Sequence, residues 1–144
     1  MDPIRLWTVI YYAERLGAGS YWRLAQHMPS DETRATMREF GDDERMHARW
    51  FATELEGRGR REPARGDWAE RAGAALARSL VAVLGRRGAL KAMHTGERRA
   101  LADLYKLIDH ARDEGLKASL ERIRPYEEKH TYWWPKEGRA LVRY

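Results

Sequence analysis

The chain is similar to itself. Residues 12–51 align without gaps on residues 95–134, a shift of 83, and eight of the 40 paired positions are identical: Glu14/Glu97, Arg15/Arg98, Leu24/Leu107, His27/His110, Ala35/Ala118, Glu44/Glu127, His47/His130 and Trp50/Trp133. Chance gives about two or three for ordinary composition. Each copy is built for helix. Prolines occur only at 3, 29, 63, 125 and 135, and Ala, Leu, Arg and Glu, all good helix formers, dominate. No stretch alternates apolar and polar residues long enough to argue a strand. Two copies of one helical hairpin, joined by a long crossover, predict an all-α four-helix bundle.

The breakers set the boundaries. The first helix is expected from Pro3 to His27, with Asp2 as N-cap and Pro3 at the first helical position. Pro29 and Ser30 end it, and Ser30 or Asp31 caps a second helix over about 31–56. Gly57 to Gly66, rich in Gly, Pro and Arg, reads as a loop. Asp67 then caps a short helix over about 68–84, with Ala72, Leu76, Leu80 and Leu84 on one side. Gly85-Arg86-Arg87-Gly88 breaks the chain before a helix over about 89–112. Gly115 marks the next turn, the last helix covers about 116–134 with a kink expected at Pro125, and residues 135–144 form a tail. Thus hairpin 1 spans about 3–56, the crossover with its short helix 57–88, and hairpin 2 about 89–134, all within one domain over 1–144.

Several classes of function fall away on composition. Cysteine is absent, which excludes disulfides, cysteine nucleophiles, thiolate zinc sites and Cys-ligated clusters. The net charge of +5 is weak support for nucleic-acid binding without a groove-reading motif. No run of 18 apolar residues exists to span a bilayer and no signal peptide is visible, so a cytoplasmic protein is expected. Gly17-Ala18-Gly19 is no nucleotide loop, because no strand precedes it; its small residues let the first helix approach a neighbour closely.

The repeat also duplicates a chemical pattern. Each copy carries one Glu on its first helix, and 30 residues later a Glu-x-x-His on its second: Glu14 with Glu44 and His47, then Glu97 with Glu127 and His130. Residues at i and i+3 share a helix face, so one helix offers a carboxylate and an imidazole to one metal ion. Four helices bring together four carboxylates and two imidazoles, a charge that two divalent cations balance. Mixed oxygen and nitrogen donors suit iron or manganese. Asp43, at i, i+4 from His47, and Glu128, next to Glu127, offer a neighbouring register, but the repeat pairs Glu44 with Glu127.

This Glu … Glu-x-x-His … Glu … Glu-x-x-His pattern resembles the ferritin-like di-iron carboxylate superfamily, over about 14–134. The resemblance implies a ferritin-like bundle holding two iron ions, with manganese the alternative metal. It implies Glu44 and Glu127 as bridging carboxylates at the reacting centre, Glu14 and Glu97 as terminal ligands, and His47 and His130 each capping one iron. The segment 83–90 is similar to the corresponding turn of demethoxyubiquinone hydroxylases, which also place a short helix in the crossover. Gly96-Glu97-Arg98 departs from the paired glutamates usual there. The Glu and His pattern is also similar to that of rubrerythrins, although the lack of cysteine excludes their rubredoxin domain.

The function implied is a di-iron oxidoreductase, an oxidase or monooxygenase that activates dioxygen or peroxide and oxidises or hydroxylates a small organic, quinone-like substrate. The alternative is iron oxidation, binding or storage without an organic substrate. The partners are dioxygen or peroxide, a small-molecule substrate and an external electron donor, with no nucleic acid; a peripheral membrane contact and a homodimer stay open. Tyr11, Tyr12, Tyr21, Trp22, Trp50, Tyr105, Tyr126 and Trp133 are expected to pack around the site, and His27 and His110 to serve helix C-termini rather than metal.

Overall fold

The structure, a computed structural model, describes residues 3–133. Among them every regular element is a helix: α1 (Pro3–Ala25), α2 (Asp31–Gly57), α3 (Gly66–His110) and α4 (Glu114–Tyr132). The expected cap at Asp2 and the tail 135–144 lie outside the described residues.

Local chemistry explains the ends. α1 stops at Ala25 because Gln26, His27 and Met28 donate their N–H groups three residues back, a tightened turn that leads into Pro29. Ser30 is the N-cap of α2, its hydroxyl accepting from Thr33 N at 3.1 Å, and Asp31 and Glu32 place negative charge in the first turn. α3 is interrupted once, at Gly85, whose φ of 67° and ψ of 173° only glycine adopts cheaply. The short helix and the third long helix expected from the sequence are therefore 66–84 and 86–110, and one glycine makes the break, not four residues. Asp113 caps α4 by accepting from Leu116 N at 2.7 Å, and the helix begins at Glu114, two residues ahead of the expected start. α4 continues through Pro125.

The chain divides into two compact units, Met1–Ser79 and Leu80–Tyr144. In the first, α1 and α2 form a hairpin whose core includes Trp7, Tyr11, Leu24, Phe40, Phe51 and Leu55, all buried. Burial of each such side chain stabilises by about 1.5–3 kcal/mol. Trp7 packs edge-on against Phe51 at 5.5 Å, and the Arg58 guanidinium lies 4.4 Å from its ring centroid.

The first part of α3 packs on α1 through backbone. A Cβ on Gly19 would stand 1.9 Å from the Glu70 carbonyl oxygen, and one on Gly73 would stand 2.0 Å from that of Leu16. The Ser20 hydroxyl lies 3.0 Å from Leu16 O and 3.1 Å from Gly73 O, so its single proton bonds the contact from within. The buried stripe is Gly66, Ala69, Gly73 and Ala77. Leu76 and Leu84, which the sequence aligns on one side of this helix, are about half exposed, at 49% and 50%. The helices approach too closely for leucine at the contact. Gly19→Ala should therefore destabilise the protein by about 2–3 kcal/mol, within the range for overpacking, read as a lower urea midpoint. An unchanged midpoint would show that the contact is looser than it looks.

In the second unit, Leu101, Leu104 and Ile108 of α3 and Leu116, Leu120 and Ile123 of α4 are buried at helical spacing. Among the described residues, no helix is long and apolar enough to cross a membrane.

Candidate metal centre

In the first unit, Glu14 of α1 meets Glu44 and His47 of α2. One donor atom from each lies within 4.8 Å of the others, and the three residues are 7%, 5% and 0% exposed. His47 Nδ1 stands 3.0 Å from Glu14 Oε2. That is a hydrogen bond, and it is also the separation of two donors at right angles about 2.1 Å from one cation. The pair is thus set for an ion as well as for a shared proton. A cluster of two carboxylates and an imidazole, buried to this degree, carries a charge that one divalent cation neutralises.

Glycine makes room for it. A Cβ on Gly17 would lie 2.8 Å from Glu44 Oε2, so a larger residue one turn from Glu14 would displace the carboxylate. Gly41, one turn before Glu44, lies under the Trp22 ring in the same way, with a Cβ position 2.3 Å from the ring edge. The Trp50 ring sits 5.4 Å from that of His47, tilted by 37°.

A second carboxylate cluster locks the two ligand-bearing helices together. Arg15 follows Glu14 and Arg45 follows Glu44, and both guanidiniums reach Glu70 of α3: Arg15 at 3.1 Å and Arg45 Nε at 3.1 Å. Arg15 also binds Asp67 at 2.6 Å. The Glu70 bond keeps the Arg45 guanidinium firmly charged, its pKa raised further. Sequence reasoning missed Glu70. The arginine beside each ligand was the available signal, but nothing local says which acid bridges them. The loop between α2 and α3 is tied down nearby, Tyr11 donating to Glu62 Oε1 at 2.8 Å; burial, then that bond, holds the phenol protonated.

In the second unit, Glu97 of α3 meets Glu127 and His130 of α4, again with donor atoms within 4.8 Å of one another. Glu127 and His130 are buried, at 9% and 2%, whereas Glu97 is half-buried. The Thr131 hydroxyl donates a long 3.5 Å bond to the Glu97 carbonyl oxygen. His94 lies one turn before Glu97, half-buried, and belongs to neither cluster. Burial first, and the Arg98 charge second, hold its imidazole below the ordinary pKa.

The structure thus groups Glu14, Glu44 and His47 in one triad and Glu97, Glu127 and His130 in another. The alternative acids stand elsewhere: Glu128 accepts from Tyr105 Oη at 2.6 Å and lies 3.8 Å from Arg124 Nε, and Asp43 belongs to neither triad. His110 closes the last turn of α3, its Nδ1 2.8 Å from Lys106 O, and His27 lies just past the end of α1. Of the aromatic residues, Tyr11 and Tyr21 are core, while Tyr105 lies at the surface. Compared with protein-family models, curated proteins and solved structures, the chain matches none.

Proposed function

We propose that the two triads are the halves of one dinuclear metal centre in a ferritin-like four-helix bundle made of two repeated hairpins, and that the protein is a di-iron oxidoreductase acting on a small organic substrate. The observation that carries this reading is the pair of triads itself: the same Glu, Glu and His, at the same spacing in both copies of the repeat, with donor atoms converging in each. Each triad offers two carboxylates and one imidazole, which one divalent ion balances, and hard oxygen and nitrogen donors favour iron or manganese.

When bound and reduced, such a pair of irons supplies the electrons for reaction with dioxygen or peroxide. The chain's own residues do the rest. Glu14, Glu97, His47 and His130 would each hold one ion, and Glu44 and Glu127 would be the carboxylates common to both. Gly17 leaves open the space that the Glu44 carboxylate occupies. The Glu70 clamp keeps Glu14 and Glu44 at a fixed separation, and Trp7, Tyr11, Phe40 and Phe51 exclude water from the first hairpin.

Anaerobic iron titration followed by an oxygen pulse, watched optically and with elemental analysis, tests the proposal. About two irons per chain should bind, and the pulse should oxidise them within the mixing experiment. A ratio near one in folded protein would sink the paired centre, and two irons inert to oxygen would sink the oxidoreductase. Repeated pulses that accumulate far more than two oxidised irons per chain would replace an organic substrate with iron storage.

A further inference from the structure

We infer that the two halves of the centre are unequal: the ion on Glu97, Glu127 and His130 is the exchangeable one and the one that takes up a small external ligand, an anion or a diatomic oxidant, while the ion on Glu14, Glu44 and His47 is retained. This rests on the two-ion centre proposed above and adds to it where a ligand enters.

Three differences between the triads carry the inference. The first is exposure. All three donors of the first triad are buried, whereas Glu97 is half-buried on a helix surface where Gly96, Arg98, Arg99 and Ala100 are all exposed. Replacing a bound ligand needs water or an incoming donor to reach the ion as a protein donor lifts away, and Glu97 is the donor that solvent reaches.

The second is support. Glu14 and Glu44 are each followed by an arginine that binds Glu70, so the helices carrying them are tied to a third helical segment. The repeat places Arg98 opposite Arg15 and Glu128 opposite Arg45. Arg98 is exposed and Glu128 bonds Tyr105, so the same positions make no such clamp in the second unit. Third, Gly17 is replaced at the equivalent position by Ala100, so the space reserved beside Glu44 is not repeated along α3. Burial and clamping both slow the loss of an ion, and both favour the first triad.

Cobalt(II) loading tests this, because cobalt reports its ligands in the visible spectrum and binds where iron binds. The loaded full-length protein is mixed with excess chelator, and loss of cobalt is followed in wild type, Glu97→Gln and His130→Ala. Wild type should release cobalt in two phases of equal amplitude with rates at least tenfold apart. Glu97→Gln should speed or abolish only the fast phase, and His130→Ala, chosen in case the first variant changes too little, should keep the slow phase alone. Azide added before the chelator should perturb the cobalt spectrum in wild type, and the response should vanish once the fast ion has gone.

A single phase carrying both ions would overturn the inference while leaving the two-ion centre intact. So would an azide response that survives release of the fast ion, or a slow phase lost in Glu97→Gln. Failure to bind two cobalt ions at all would overturn the centre itself, and this inference with it.

Discussion

Glu44→Ala should strip the protein of both metal ions while leaving it folded. Alanine is the better helix former in the middle of α2, and removing a buried carboxylate also removes a desolvated charge, so the apo fold has little to lose. The ions lose more. On the centre proposed here Glu44 serves both of them, and a methyl group offers no donor in the space that Gly17 keeps clear. His47→Ala should behave differently, weakening mainly the ion of the first triad. Metal content by elemental analysis, beside a circular dichroism spectrum to show that the helices persist, separates these outcomes. Asp43→Ala is the matched control: Asp43 lies one residue away and outside the triad, and its removal should leave about two ions per chain. The assignment fails if Asp43→Ala loses the metal and Glu44→Ala keeps it.

The residues of this test were legible because a cluster able to hold a metal repeats its chemistry in sequence. Glu-x-x-His is visible as a spacing, and its second copy 83 residues on is visible as a duplication. Helix ends were legible for a similar reason: Ser30 and the break at Gly85 are local devices that act on adjacent backbone. What the sequence hid is non-local. The apolar stripe Ala72, Leu76, Leu80 and Leu84 has the period of a buried helix face, yet α3 packs through Gly66, Ala69, Gly73 and Ala77. Apolar periodicity weighs side chains by hydrophobicity and so discounts glycine. A helix pressed backbone-to-backbone on its neighbour selects for having no side chain at all. Gly17-Ala18-Gly19 did announce such an approach on α1, but the partner surface on α3 carried no matching local signal. Glu70 was hidden for a related reason, since an acid that bridges two arginines on other helices looks like any other charge in a helical surface.

Replacing Glu14 and Glu97 together by glutamine should raise the stability of the metal-free protein and abolish its response to metal. Without an ion, the first triad buries two carboxylates beside one imidazole, at 7% and 5% exposure. Desolvation and mutual repulsion oppose folding there, at a cost on the order of several kcal/mol per buried ion, and a neutral amide of the same shape relieves part of it. A glutamine at position 14 still presents an oxygen toward His47 Nδ1, so the 3.0 Å contact has a neutral substitute and the fold keeps its packing. Most of the gain should come from position 14, because Glu97 is half-buried and already partly solvated. Metal acts in the opposite direction. An ion that binds only the folded protein stabilises it by about 2.7 kcal/mol at 100 times its dissociation constant, so wild type should melt several degrees higher with manganese than after chelation. A neutral amide is a poor donor to a hard cation, so the double variant should melt at the same temperature with and without manganese. The four melts therefore cross: the variant is the more stable protein without metal and gains nothing with it. If the metal-free variant melts below metal-free wild type, the carboxylates stabilise the fold by some other pairing. If manganese shifts neither protein, Glu14 and Glu97 are not metal ligands, and two carboxylates buried against a histidine would need a different partner to explain why the helices hold them there.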